Sequence, residues 1–254
     1  MTPEHRRQTA ERSLPLLDLT DLGDASSLDT ATTLCERAIT PHGTVGAVCI
    51  WPRYVSHARD LLAGRVPIAT VVNFPGGNQQ IDITEVETRQ AFADGAAEID
   101  LVMPYGAFLE GDEATARKMI EAVRAACGKG TLLKVIIEAG ELKTDEAIVA
   151  ASHLAIEAGA DFIKTSTGKV AVNATPHTAD LMIQAIHDAG KPVGFKPAGG
   201  IKTVADAAAY LAIADRVMGI EWASPATLRF GASSLLDDLL AALAGDDEVR
   251  GTGY

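Results

Sequence analysis

The 254-residue chain carries 34 acidic against 22 basic side chains, a formal net charge of −12, and nearly half of it is apolar. That length suits one large α/β domain or two small ones with a substantial core, and the composition is not that of a disordered chain. The negative charge argues against a nucleic-acid or membrane-surface binder, although a phosphorylated small molecule stays compatible with it. Cys35, Cys49 and Cys127 form no CxxC pair and are odd in number, which points to a reducing cytoplasm and not to a disulfide framework. The first twenty residues lack the apolar stretch of a signal peptide, and no run approaches the roughly 18 apolar residues of a membrane span.

In chain order, residues before Leu14 read as an extra N-terminal helix, and eight short apolar runs follow as strands. These are Leu16–Thr20, Ala47–Trp51, Ile68–Asn73, Glu98–Met103, Leu132–Glu138, Asp161–Lys164, Val193–Lys196 and Arg229–Ala232. Helical patterns lie between them. One starts at Thr144 as N-cap, carries Ala147, Ala151, Leu154 and Ala158 on one face, and stops before Gly159. The next opens on Thr175-Pro176, with proline in the first turn, and ends at Gly190. Two more begin at Thr203 and near Ser233.

Strict alternation of eight strands with helices predicts a parallel (β/α)₈ TIM barrel. A doubly wound open sheet is the alternative, weakened because no GxGxxG follows the first strand. No linker rich in Pro, Gly or Ser divides the chain, so residues 1–254 read as one domain, with the barrel over 14–243 and a mobile tail over 244–254.

Two strands end in lysine: ADFIK at Lys164 and VGFK at Lys196, each followed by a glycine-containing loop. In a barrel, chemistry sits at the C-terminal strand ends. Alternation places Phe162 with Lys164 on one face and Gly194 with Lys196 on another, and both lysines are expected to point inward. Two ammonium groups about 5 Å apart at an effective dielectric of about 20 repel by roughly 3 kcal/mol. Desolvation acts in the same direction. One amine held neutral in this way attacks carbonyls to form a Schiff base, while the bland alternative is a pair of structural lysines, each matched by a carboxylate. Residue patterns alone leave open which lysine is the nucleophile. Asp100, inside EIDLVM, is the expected acid/base partner, acting through water beside a lysine. Lys134 reads either as a salt bridge or as part of the site edge. Asp18 and Thr20, in LLDLT, read as substrate hydroxyl contacts or as a strand-end cap.

TSTGK, PAGGIK and GASS follow strands six, seven and eight, where barrels commonly cradle phosphate on backbone N–H groups and a helix N-terminus. The six histidines show no HxH or HExxH spacing, which disfavours a zinc site, and neither a GxSxG elbow nor a Walker A motif occurs. Cys49, within AVCIW, reads as a small buried hydrophobe.

Together, FIKTSTGKVAVNAT, GFKPAGGI, LLKVIIE, RFGASSLL, LDLT, NFPGGN and EIDLVM resemble the 2-deoxy-D-ribose-5-phosphate aldolases over about residues 14–243. The resemblance implies a class I aldolase without metal or organic cofactor. It would cleave 2-deoxy-D-ribose 5-phosphate reversibly to D-glyceraldehyde 3-phosphate and acetaldehyde. By position, it makes Lys164 the Schiff-base lysine, Lys196 the neighbour that depresses its pKa, and Asp100 the acid/base group. It implies a phosphate cradle of Gly168, Lys169, Gly199, Gly200, Ser233 and Ser234, with Thr167 and Lys202 beside them. Lys202 stands where relatives often carry arginine, which keeps the charge and loses the bidentate fork. Tyr254 matches a terminal tyrosine that assists proton transfer in some members, and a homodimer is a further expectation. Another class I phosphosugar aldolase, or a non-catalytic sugar-phosphate binding protein, are the competing functions.

Overall fold

A computed structural model describes residues 1–246. Eight parallel strands form one sheet: β1 (Leu17–Asp21), β2 (Ala47–Ile50), β3 (Ile68–Val72), β4 (Glu98–Val102), β5 (Leu132–Ile136), β6 (Phe162–Lys164), β7 (Gly194–Lys196) and β8 (Phe230–Ala232). Neighbours in the sheet follow chain order, and β8 lies beside β1. Parallel bridges from Phe195 to Leu228 and from Ala198 to Gly231 stitch β7 to β8, so the sheet closes as the expected (β/α)₈ barrel.

Each expected strand is present, with ends that differ by one or two residues. Asn73 and Glu138 leave the strand because their backbones turn left-handed, with φ of 55° and 53°. An antiparallel pair, Ile39–Thr40 with Gly43–Thr44, and two short helices, Tyr105–Leu109 and Ala139–Leu142, had no sequence signal strong enough to be expected.

The helices start where their caps dictate. Thr144, Thr175 and Thr203 accept the N–H groups of Ala147, Thr178 and Asp206, and the last two complete capping boxes. Helix Asp145–Glu157 carries Ala151 and Leu154 of the expected stripe into the core, with Ala158 just past its end also buried, joined by Ile148 and Ala155, while Ala147 lies at the edge of that face. The extra N-terminal helix, Pro3–Ser13, packs against the helices Val204–Met218 and Leu235–Ala244. Arg12 forks onto Asp215 at 2.7 and 2.9 Å, and Arg6 reaches Asp238 at 2.6 Å.

The main apolar core fills the space between sheet and helices. A separate small cluster, Ala47, Cys49, Ala69 and Val71 with Leu22, occupies the β2–β3 side of the lumen. The rest of the lumen is charged. Gly194 makes this possible, because a Cβ there would meet the Phe162 ring at 2.4 Å. The space beneath Lys196 is therefore filled by its neighbour Phe162. Gly194→Ala is expected to cost about 1–3 kcal/mol through overpacking, seen as a lower urea midpoint with an unchanged slope.

Candidate active site

Six strands send charged side chains into the lumen: Asp18 from β1, Glu98 and Asp100 from β4, Lys134 from β5, Lys164 from β6, Lys196 from β7, and Arg229 from just before β8. Register explains the meeting, since Asp100 lies directly opposite Lys134 and Lys164 directly opposite Lys196. Asp100 is fully buried; its Oδ1 accepts Lys134 Nζ at 2.7 Å, and its Oδ2 accepts Lys164 and Lys196, each at 2.8 Å. The two amines share one oxygen, so they lie no farther apart than twice that distance. Lys134 also reaches Glu98 at 2.7 Å and Asp18 at 3.6 Å. Lys196 reaches Asp18 at 2.6 Å. Arg229 bridges Asp18 and Glu98 at 2.6 and 3.0 Å.

Among the described residues, this cluster joins four cations to three carboxylates. Burial opposes ionisation of Asp100, but Lys134, Lys164 and Lys196 outweigh it and hold the carboxyl well below its ordinary range. Asp18 is likewise lowered against its burial by Lys196, Lys134 and Arg229. Burial works against the Lys196 and Lys134 ammonium groups too, yet the facing carboxylates raise both above the usual lysine value. The facing carboxylates thus favour the cationic form of both lysines.

Above the cluster opens a cleft of ≈ 380 Å³ at the C-terminal strand ends. Lys164, 3 % exposed, forms part of its lining, whereas Lys134 and Lys196 are sealed below. The loop after β6 contributes Thr167, Gly168 and Lys169; the loop after β7 contributes Gly199, Gly200 and Lys202; Ser233 and Ser234 follow β8, and Thr20 closes the β1 side. Thr20 donates to its neighbour Asp18's carbonyl at 2.7 Å, while the Asp18 carboxylate itself lies beneath the cleft in the ion cluster. Lys169 Nζ rests on the exposed Asp24 at 3.1 Å. Gly199 has φ of 84°, and a Cβ there would meet Asn173 at 2.7 Å, so this turn accepts glycine alone. Ser234 is the N-cap of helix Leu235–Ala244, and its side chain makes no capping bond. Tyr254 lies outside the described residues.

The DeoC/LacD family aldolase model matches residues 14–241. The deoxyribose-phosphate aldolase of Agrobacterium fabrum is 52 % identical over 257 aligned residues, covering 100 % of this chain and 99 % of that one. The chain belongs to the DeoC/LacD family of aldolases. Solved structures agree with this aldolase fold. The apo form of a Toxoplasma gondii ME49 protein assigned as a deoxyribose-phosphate aldolase superposes with a TM-score of 0.88 at 26 % identity, over 97 % of this chain and 100 % of that one. The deoxyribose phosphate aldolase of Aeropyrum pernix, described as tetrameric, gives 0.74 at 22 % identity over 95 % and 98 % of the two chains.

Three charged residues around the cluster and cleft, Glu98, Arg229 and Glu138, are not among the candidates the sequence offers. Glu98 shares its strand face with Asp100, and Arg229 stands two residues before Gly231, so the period-2 signal for both was present. Glu138, fully buried, accepts the Thr167 N–H at 3.1 Å and so holds the loop after Lys164. Burial raises its pKa, against the Thr167 hydrogen bonds and nearby Lys164. Thr165 and Ser166, in the loop after β6, hold the next loop through their hydroxyls: Thr165 Oγ1 accepts the Ala198 N–H at 3.0 Å and Ser166 Oγ donates to Ala198 O at 2.6 Å.

The lowered carboxyls fix the sign of acid sensitivity. Asp100 and Asp18 contribute stability above the unfolded carboxylate pKa of about 4, and that stability is lost as pH falls through their lower folded values. Asp18→Asn is therefore expected to flatten the fall in stability below about pH 4, measured by urea titration across pH 2–7. Lys134→Met strands Glu98 and Asp100 without a shared cation, and should cost about 3–5 kcal/mol at pH 7.

Proposed function

We propose that this aldolase reversibly cleaves 2-deoxy-D-ribose 5-phosphate to D-glyceraldehyde 3-phosphate and acetaldehyde through a Schiff base on Lys164. The observation that carries the reading is Lys164 itself: an amine in the lining of the cleft, sharing Asp100 Oδ2 with Lys196, below glycine-containing loops. Four cations against three carboxylates leave one positive charge in excess, and release of one proton balances the cluster. Lys164 is the lysine open to the cleft and has one carboxylate contact among the described residues, so it is the amine assigned to give that proton up.

Neutral Lys164 attacks C1 of the open-chain sugar, and loss of water forms the iminium. The iminium draws the electrons of the C2–C3 bond as the C3 hydroxyl proton leaves toward Asp100 through water, releasing glyceraldehyde 3-phosphate. The enamine that remains takes a proton at C2, and hydrolysis frees acetaldehyde and the lysine. At the far end, the phosphate is assigned to Gly168, Lys169, Gly199, Gly200, Ser233 and Ser234, with Thr167 and Lys202 at its margin. The helix N-terminus that Ser234 leaves without a side-chain cap supports this assignment, because its amides and dipole favour an anion. A cytoplasmic address and homodimer assembly complete the reading; they rest on the family likeness and, for the address, on three cysteines without a disulfide partner.

Borohydride added with deoxyribose 5-phosphate should trap a reduced adduct on the peptide carrying Lys164, and a coupled assay should detect glyceraldehyde 3-phosphate. Label on Lys196, or binding without acetaldehyde release, would overturn the assignment. Lys202→Ala should raise KM for the phosphorylated sugar roughly tenfold, the loss of about 1.4 kcal/mol, with little change for unphosphorylated deoxyribose.

A further inference from the structure

We propose that Arg229 is a positioning residue for the Lys164 chemistry, whose permanent charge, held between Asp18 and Glu98, sets the pH range over which the enzyme works. The inference rests on the Schiff-base reading above. Arg229 lies at the N-terminal end of β8, away from the cleft, and is 4 % exposed. Its Nη1 takes Asp18 Oδ1 at 2.6 Å, its Nη2 takes Glu98 Oε1 at 3.0 Å, and its Nε donates to Pro225 O at 2.5 Å. Each carboxylate then has one oxygen left for a lysine: Asp18 Oδ2 for Lys196, and Glu98 Oε2 for Lys134.

A guanidinium does not give up its proton in a protein, whereas a lysine amine does. Arg229 therefore occupies half of two carboxylates permanently, and the three lysines share what remains. Replace it with a neutral group and three carboxylates face three ammonium groups, so the drive to release a proton is gone. Neutralise Glu98 instead and the excess grows to two positive charges, so a proton leaves more readily. The other groups facing the cluster do not alter these opposite signs. Asp18, Asp100, Lys134, Lys164 and Lys196 are common to every variant. Cys49, in the lumen, is kept as a neutral thiol by burial, against the pull of nearby Lys196. Glu138, near Lys164 and bonded to the Thr167 N–H, is pushed toward its uncharged acid by burial.

The test is the acid limb of kcat/KM for deoxyribose 5-phosphate cleavage, measured from pH 4 to 10 on variants whose folding is checked by circular dichroism and thermal melting. Arg229→Gln should move the limb to higher pH and Glu98→Gln to lower pH. Each shift should be about one pH unit, as expected of a single charge at roughly 10 Å and an effective dielectric of about 20. Arg229→Lys should stay near the parent profile. A merely structural role lowers rate or melting temperature without moving the limb. If Arg229→Gln does not fold, the Glu98→Gln shift decides: a downward move supports the proposal. An unmoved limb, or movement in the same direction for both variants, overturns it. Borohydride trapping of the parent separates the two ideas. No adduct on Lys164 sinks the Schiff-base reading, whereas an adduct with immobile pH profiles sinks this inference alone.

Discussion

Asp100 accepts three lysine ammonium groups on its two oxygens, and the arrangement of the barrel interior follows from having to keep those ions together. Taking each ion out of water costs several kcal/mol, and mutual attraction offsets that only when partners are close and complete. Here the shortest contacts run from 2.6 to 3.0 Å and reach every charged member of the cluster. Such a cluster is a poor source of stability. That is supplied by the apolar shell between sheet and helices, including fully buried Leu17, Leu19, Ile99, Leu101 and Ile163 on the outward strand faces. The ions contribute position and charge state to the site, and the core offsets what their burial costs.

The lumen is accordingly divided. On the β2–β3 side, small side chains, Ala47, Cys49, Ala69 and Val71, leave no ionisable group to compete for Asp100 except a thiol that burial keeps neutral. On the other side, long charged side chains need room, and glycine provides it. A Cβ at Gly231 would meet Lys196 Cε at 3.2 Å, just as one at Gly194 would strike Phe162. Strands β6 and β7 are only three residues long and end at Lys164 and Lys196, so their loops begin immediately after these lysines. The Thr165 and Ser166 hydroxyls then tie the first of these loops to Ala198 in the second, at 3.0 and 2.6 Å. The Lys164 end and the glycine-rich end of the cleft are in this way parts of one hydrogen-bonded frame.

Much of this was legible from residue order because a barrel strand has a simple rule. Alternation put Lys164 and Lys196 on inward faces, the burial of a carboxylate in an apolar strand singled out Asp100, and the turn and cap residues placed Thr144, Thr175 and Thr203 at helix starts. What alternation does not contain is stagger, the vertical offset of each strand against the next. Stagger decides that Lys134 meets three carboxylates and not one, and that Asp18, 211 positions from Arg229 in the chain, shares an ion pair with it across the β8–β1 contact. Asp18 and Thr20 illustrate the limit well. Two residues apart on one strand face, they were read as one kind of group, yet the first is sealed among cations and the second borders the cleft. Glu138 was hidden for another reason, since a left-handed glutamate is held by its tertiary hydrogen bonds and has no local signature.

The ion pairs also form a gradient along the barrel axis. Lys134, deepest in partners, touches Asp18, Glu98 and Asp100; Lys196 touches Asp18 and Asp100; Lys164, at the cleft, touches Asp100. Charge compensation therefore thins from the interior toward the opening. The lysine with the fewest carboxylate contacts is also the one that lines the cleft. The same gradient keeps the two inner lysines charged, so a positive iminium formed on Lys164 would stand beside fixed cations and depend on Asp100 to balance it. On the proposed chemistry, the carboxylate that holds the free amine would also be the group nearest to the charge created on it.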